Sequence, residues 1–232
     1  MTENKICIVI PVFNNKEAIP DFIDMLIDRI SERKHIEIVF VLASEIDMKI
    51  NHMDVSIKMI RSQKAQRSYQ MNLGASQCES DILYFLHIDT IPPIDFDQSI
   101  LEVYKSDHNA FGCFRLKFDW KSPLMSFFSY FSRFKHDIFH GGDASLFVKR
   151  KDFDELGGYN EDMDLMEDYE IQKRLKIKGK FILLKQHVET SAIKYRVNGP
   201  LRLQYYYMII QMMYRLNFGQ EKLKKFYLKK IK

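Results

Sequence analysis

The sequence has few of the residues that characterise disulfide-rich, fibrous or membrane-spanning proteins. Its 232 residues include three cysteines, six prolines, nine glycines and one tryptophan. So little proline and glycine excludes collagen-like and low-complexity chains. The longest apolar run, 203–214, contains Gln204 and Gln211, so we expect no membrane-spanning helix. No signal peptide is expected either, because the first apolar run contains Pro11 and leads into two asparagines.

The cysteines are odd in number and lie far apart, at Cys7, Cys78 and Cys113. They fit no zinc-ligand spacing and no disulfide framework. The expectation is therefore three free thiols in a reducing cytoplasm.

The charge is nearly balanced overall but unevenly distributed. There are 35 basic and 31 acidic residues, giving a formal charge of +4. From Arg215 to Lys232, seven residues are basic and one is acidic, so the rest of the chain is slightly acidic. Such a body is not expected to bind nucleic acid, because nucleic-acid-binding domains carry a basic patch.

Short β-rich apolar runs alternate with helical periodicity in the first ninety residues, which predicts an α/β fold with a mostly parallel, doubly wound sheet. The predicted strands are 6–10, 36–42, 55–60 and 82–87, with helices at 19–30 and 66–78. Later strands are expected at 110–118 and 145–148, and later helices at 169–178, 201–218 and 221–232. We expect one domain over 1–200, followed by a helical appendage over 201–232.

Polar side chains follow the predicted strands at one rim of the sheet, where open parallel sheets bind ligands. These are Asn14, His87 and Asp89. His87 and Asp89 lie two residues apart, so their side chains point the same way and can converge on Mn²⁺ or Mg²⁺. The alternative is that Asp89 caps a turn and His87 is an ordinary histidine at a strand end.

Two acidic residues, Glu167 and Asp168, immediately precede a predicted helix. At this position a carboxylate can serve as a general base held on a rigid element. The alternative is structural, because acidic residues also cap helices and complement the helix dipole. Gly141 and Gly142, flanked by His140 and Asp143, form either a ligand-approach loop or an ordinary tight turn.

Several catalytic signatures are absent: the sequence has no GxGxxG, no Walker A lysine loop and no GxSxG. These absences weigh against dinucleotide oxidoreductases, P-loop NTPases and α/β-hydrolases. A sugar-phosphate nucleotidyltransferase is also disfavoured, since its glycine-rich, arginine-containing signature does not follow the first strand.

Six segments together resemble family 2 glycosyltransferases of the GT-A fold, over almost the whole chain and in family order. They are IVIPVFNN (8–15), RSYQMNLGAS (67–76), LYFLHIDTIPP (83–93), SLFVKRKDFDELGGY (145–159), LMEDYEIQKRLKIKG (165–179) and TSAIKYRVNG (190–199). QMNxGA followed by FLHxDT is the most specific pairing. The match is strongest to a small bacterial group described as radical-SAM-associated transferases.

The resemblance implies roles for matching positions. The donor nucleotide is expected at Pro11, Asn14, Arg67, Asn72, His87 and Lys194. A divalent metal, Mn²⁺ or Mg²⁺, is expected at Asp89 and His87. Asp168 is expected to be the catalytic base, with Glu167 beside it. Asp143, His140 and Phe131 are expected on the acceptor side.

The chain departs from the family pattern at several positions, and one of them is Tyr195, where relatives have tryptophan. Asn15 stands where relatives usually have an acid, and Leu42 where many have an aspartate that reads the nucleobase. Ile193 replaces one of two paired arginines, and Lys194 keeps a positive charge at the other. These departures leave the choice between UDP- and GDP-linked donors open, as well as the alternative of a non-catalytic scaffold on a transferase fold.

The implied activity is inverting transfer of a sugar to an acceptor hydroxyl on a glycan or lipid-linked acceptor of the cell envelope. The tail adds a candidate membrane contact, because four apolar residues share one face of a lysine-rich helix in 219–232: Leu223, Phe226, Tyr227 and Ile231. The alternative is that this face packs on the domain. The expected location is the cytoplasm, with peripheral attachment to the membrane.

Overall fold

A computed structural model describes residues 5–13, 16–43, 52, 54–135 and 144–232. Its strands are β1 (Ile6–Val12), β2 (Ile36–Leu42), β3 (Ser56–Arg61), β4 (Ile82–Phe85), β5 (Thr90–Ile91), β6 (Ala110–Phe118), β7 (Leu146–Lys149) and β8 (Lys180–Thr190). Its α-helices are α1 (Ile19–Ile27), α2 (Arg67–Ser76), α3 (Phe96–Ser106), α4 (Pro123–Phe131), α5 (Arg150–Glu155), α6 (Glu167–Lys178), α7 (Ile193–Asn198), α8 (Pro200–Arg215) and α9 (Gln220–Lys230).

The strands form one sheet in the order β3-β2-β1-β4-β7-β6-β8-β5. The first half is parallel, whereas β7 runs antiparallel to both β4 and β6. β8 is parallel to β6 and carries the short antiparallel β5 at its edge. The predicted α/β class, with a central sheet flanked by helices, is confirmed. The sheet is mixed, rather than parallel throughout, because β7 and β5 run antiparallel to their neighbours.

Central strands of the sheet are buried on both faces, which explains why they read as continuous apolar runs. In β1, Ile6, Ile8 and Ile10 face the core beneath α1, whereas Cys7 and Val9 face the core beneath α2. This alternation follows from the period of two in a strand.

The cysteine expectation is corrected by the structure, which joins Cys7 and Cys78 in a disulfide. Their Cα atoms lie 6.0 Å apart, a separation that a disulfide spans. The bond links β1 to Cys78, two residues beyond the end of α2. Sequence spacing did not reveal the pair because 71 residues separate them and only the fold brings them together. Cys113 is a buried thiol outside the disulfide, and burial raises its pKa.

The C-terminal helices pack on the sheet domain through a third apolar cluster. It unites the end of β6 and helix α4 with α7, α8 and α9. Leu223 of α9 and Ile231 just beyond its end are buried, and Phe226 and Tyr227 are partly buried. Of the two alternatives for this face, packing on the domain is therefore the one observed. Within the described ranges, no helix is both long enough and apolar enough to cross a bilayer.

Helix α2 fixes the ends of the first two strands at the rim of the sheet. The buried Gln70 side chain donates from Nε2 to the carbonyl oxygens of Val12, at 3.1 Å, and Val41, at 2.7 Å. A Cβ on Gly74 would lie 2.9 Å from Cγ2 of Val41, so only glycine permits this close approach. These contacts explain two residues of the QMNxGA segment in structural terms.

We predict that Gln70→Ala lowers the free energy of unfolding by about 1–3 kcal/mol, because Val41 O loses the Gln70 amide and Val12 O is left with the Ala43 amide as donor. Urea denaturation followed by circular dichroism measures the change. Gln77→Ala, at an exposed position just beyond the same helix, is the matched control and should alter stability by less than about 0.5 kcal/mol. Equal effects of the two substitutions would contradict the role assigned to Gln70.

Candidate active site

A cavity of about 910 Å³ opens where α2 and α6 begin, with α4 and the C-terminal helices forming its other walls. Five predicted site residues line it: Arg67, Glu167, Asp168, Lys194 and Phe131. These residues come from four different helices. The structure thus brings together residues that lie more than 120 positions apart in the sequence.

The acidic pair occupies the first two positions of α6. Glu167 and Asp168 are both buried, at 3% and 7% exposure, yet both line the cavity. The helix cap is Met166, which adopts a left-handed backbone with φ of 69°, so neither acid is used as the N-cap. Both carboxylates nevertheless sit where the helix dipole favours negative charge.

The acidic pair has a cationic neighbour and an aromatic neighbour. Arg67 Nη1 lies 3.4 Å from Glu167 Oε1, and the Arg67 side chain is partly exposed in the cavity. The buried phenol of Tyr159 lies near both acids: burial raises its pKa well above the usual value, and the charges of Asp168 and Glu167 add to the effect. Tyr159 therefore stays neutral beside the pair.

The segment before the pair, residues 159–166, is called here the acidic-pair loop. Helix α2 holds one side of it: Asn72 Nδ2 donates to Tyr159 O at 2.9 Å, and Ser68 Oγ donates to Met163 O at 3.2 Å. Helix α9 holds the other side through Gln220. Its Oε1 accepts from the amides of Asp164 and Leu165, and its Nε2 donates to Leu165 O, all at 3.2 Å.

Two further contacts tie the C-terminal helices to this region. Lys224 Nζ donates to Asp164 Oδ2 at 2.9 Å, and Gln211 Nε2 donates to the Tyr169 hydroxyl at 2.7 Å. Lys224 and Gln211 also line the cavity. The helices that the sequence marked as an appendage are therefore a wall of the site.

An aromatic group covers the side of the cavity near α4. Tyr195 is at its centre, with ring centroids 5.0 Å from Phe118, 6.0 Å from Phe128 and 6.2 Å from Tyr207. Phe131 continues the aromatic surface along α4. The cavity therefore has charged residues where α2 and α6 begin, and aromatic residues on the side formed by α4, α7 and α8.

The proposed metal residues lie on the turn between β4 and β5. His87 is buried, at 9% exposure, and Asp89 is exposed. The Asp89 carbonyl oxygen accepts from Ser191 N at 3.2 Å, which fixes this turn beside the segment leading to Lys194. Neither residue lines the cavity itself. Among the described residues, no group of three or more His, Cys, Asp or Glu side chains is placed to hold a metal.

The remaining predicted residues either lie outside the cavity lining or fall outside the described residues. Pro11 is buried within β1, paired in register with Val41. Asn72 donates to Tyr159 O and to Glu161 Oε1 and accepts from Tyr159 N, and it does not line the cavity. Leu42, at the position where relatives place a nucleobase-reading aspartate, is fully buried in the core. Asn14, His140 and Asp143 lie outside the described residues.

A family model described as glycosyl transferase family 2 matches residues 7–147. The chain belongs to this family. A search of curated proteins found no significant match. The GT-A architecture expected from the family 2 resemblance is confirmed by solved structures at low sequence identity.

Two of those structures show how closely the family fold is retained. The mannosyltransferase PcManGT from Pyrobaculum calidifontis, in complex with GDP-Man and Mn²⁺, has a TM-score of 0.69 and 14% identity. That alignment covers 98% of this chain and 70% of PcManGT. S. aureus TarS 1–349 has a TM-score of 0.63 and 11% identity, over 96% of this chain and 69% of TarS 1–349. TarS 1–349 is also known in complex with UDP and with UDP-GlcNAc.

Sequence reasoning missed the contribution of the C-terminal helices to this family 2 site. Gln204, Tyr207 and Gln211 line the cavity from α8, and Lys224 does so from α9. A signal was present: Gln204, Tyr207 and Gln211 recur at helical spacing within an apolar run, which indicates one polar face. Gln220 had no such signal, because its partners are backbone groups 55 and 56 residues away.

We predict that Gln220→Ala loosens the acidic-pair loop, because two backbone amides and one carbonyl lose their partner. Hydrogen exchange followed by mass spectrometry should show faster exchange in a peptide spanning the loop. Lys225→Ala, at an exposed position on the same helix, is the matched control and should leave that peptide unchanged. Unaltered exchange in Gln220→Ala would contradict the clamp.

Proposed function

We propose that the protein transfers a sugar from a nucleotide-sugar donor to an acceptor hydroxyl, with inversion at the anomeric carbon and with a divalent metal. One observation carries the proposal: a buried pair of carboxylates lines a large cavity that also contains the cationic residues a diphosphate requires. Family membership supports the reaction class. Within the cavity, we assign the donor and the acceptor to different walls.

The donor diphosphate is assigned to the side where α2 begins. The start of a helix presents free backbone amides and a positive dipole end, which favour phosphate. Arg67 is the first residue of α2, and Lys194 contributes a second cation from α7. The buried Leu42 offers no polar group to a base, so uracil and guanine are both kept as candidates.

A divalent metal fits the proposed set of ligands. His87 and Asp89 offer one imidazole and one carboxylate on the turn after β4. Mg²⁺ is commonly held by one or two side chains together with substrate phosphates and water. Mn²⁺ shares the preference for oxygen ligands, so the same kind of site suits it. Two protein ligands are therefore sufficient when the donor completes the sphere. When bound, such a metal neutralises charge on the departing nucleoside diphosphate.

Asp168 is assigned as the general base, because it matches the family's catalytic position and lines the cavity. A base must lie within hydrogen-bond reach of the hydroxyl whose proton it accepts. Asp168 lines the cavity at a fixed position on α6 and can receive that proton as the hydroxyl attacks the anomeric carbon. Glu167 is assigned to hold Arg67 in place for the diphosphate.

The acceptor is assigned to the aromatic wall of α4, α7 and α8. Tyrosine and phenylalanine rings suit a sugar ring or the apolar part of a lipid-linked acceptor. The proposed acceptor is a glycan or a lipid-linked molecule of the cell envelope. The proposed site of action is the cytoplasm. Membership of the radical-SAM-associated group is part of the same proposal and is supported by the quoted sequence segments.

We predict that Asp168→Asn reduces turnover by at least about a hundredfold while donor binding is nearly unchanged, because the amide cannot accept the proton. Asp89→Ala should abolish transfer and also weaken metal-dependent donor binding. Release of UDP or GDP from a panel of nucleotide sugars with an acceptor extract measures turnover, and calorimetry measures donor binding.

Asp162→Asn provides the matched control, because Asp162 is an exposed carboxylate on the acidic-pair loop outside the cavity lining. It should retain the activity of the unmodified chain. Turnover by Asp168→Asn equal to that of the control would refute the base assignment. A chain that binds no nucleotide with or without Mn²⁺ would support the alternative of a non-catalytic scaffold.

A further inference from the structure

Helix α8 presents an uninterrupted apolar stripe to solvent. Five residues at intervals of three or four positions form it, and each is more than half exposed: Leu201 (68%), Tyr205 (55%), Met208 (56%), Met212 (59%) and Leu216 (64%), the last lying one residue beyond the helix end. At 3.6 residues per turn these side chains share one face. We call this face the α8 stripe.

The α8 stripe lies on the face of α8 that points away from the protein core. Leu203 and Ile210, on the opposite face of α8, are buried in the third apolar cluster. Between these two faces, Gln204 and Gln211 point toward the cavity. A helix packed in this way normally presents polar residues to water. Here the outward face is apolar instead, and contiguous exposed apolar patches mark interaction sites.

The charges around the α8 stripe indicate what kind of partner it contacts. Residues 190–232 contain ten basic residues and a single acidic residue, Glu221. Arg202 and Arg215 border the stripe on α8, and both are exposed. An apolar helix face edged by cations is the pattern of helices that lie in the interface of an anionic bilayer.

A second copy of the chain is the other occupant to consider, since the stripe spacing also suits helix pairing. Self-association would bring Arg202 and Arg215 of one copy against the equally basic surface of the other. No acidic residue of α8 would compensate, because the helix has none. Like charges in contact oppose such pairing, so charge favours lipid.

We propose that the α8 stripe is a docking surface for an anionic membrane. The inference does not depend on sugar transfer, since it rests on exposure, periodicity and charge alone. It replaces the predicted face of α9 as the membrane contact, because Leu223 is buried and Phe226 and Tyr227 are partly buried against the domain. It also places the bilayer alongside the cavity, whose wall is formed by the adjacent face of the same helix.

Vesicle flotation of the full chain tests the proposal. The unmodified protein should float with phosphatidylcholine vesicles that contain phosphatidylglycerol, and less with phosphatidylcholine alone. The triple variant Leu201→Gln/Met208→Gln/Met212→Gln should partition about tenfold less, because it removes apolar area that inserts into the interface. All three positions are exposed, so the variant should fold, and circular dichroism with thermal melting verifies this.

Ile94→Gln/Ile177→Gln is the matched control, since these two apolar side chains are 67% and 83% exposed but lie outside α8. It should bind vesicles like the unmodified chain. The proposal is overturned if the triple variant floats as well as the control, or if the unmodified chain does not float with anionic vesicles. Analytical ultracentrifugation adds a third outcome: a dimer abolished by the triple variant, without vesicle binding, would assign the stripe to self-association.

Discussion

The amide side chain of Gln220 makes the interaction on which the site depends. By binding the backbone of Asp164 and Leu165, it joins the C-terminal helices to the loop that delivers Glu167 and Asp168. Helix α2 holds the same loop from the opposite side through Ser68 and Asn72, which also ties it to the rim of the sheet. The acidic pair is thus fixed between two helices that are far apart in sequence, and preorganisation of this kind favours chemistry.

This arrangement gives the C-terminal helices two roles that a simple appendage would not have. One face of α8 closes the cavity with Gln204, Tyr207 and Gln211, and another face is the exposed apolar stripe. The proposed membrane contact and the proposed acceptor wall are therefore parts of one helix. The basic residues follow the same division, since they concentrate beyond residue 190 and leave the sheet domain slightly acidic.

The sequence predicted the buried strands well, and the prediction of strand β2 at 36–42 and strand β6 at 110–118 matches the structure at both ends. Strand β8 was not predicted because Lys180–Thr190 mixes apolar and charged residues without a regular alternation, although Gly179 marks the end of α6 just before it. The disulfide and the Gln220 clamp could not be predicted, because both join residues that only the fold brings together. The motifs located the acidic pair. They also selected Asn72, whose observed contacts are all within the protein fold.

Nucleotide binding is the central claim, because the reaction, the metal and the roles of Asp89 and Asp168 all depend on it. Calorimetric titration of the full chain with UDP and with GDP, each with Mn²⁺ and again after chelation by EDTA, measures it directly. We expect saturable binding of one nucleotide that requires the metal and is weakened in Arg67→Ala. Absence of metal-dependent binding for both nucleotides would contradict the assignment of this cavity as a glycosyltransferase site.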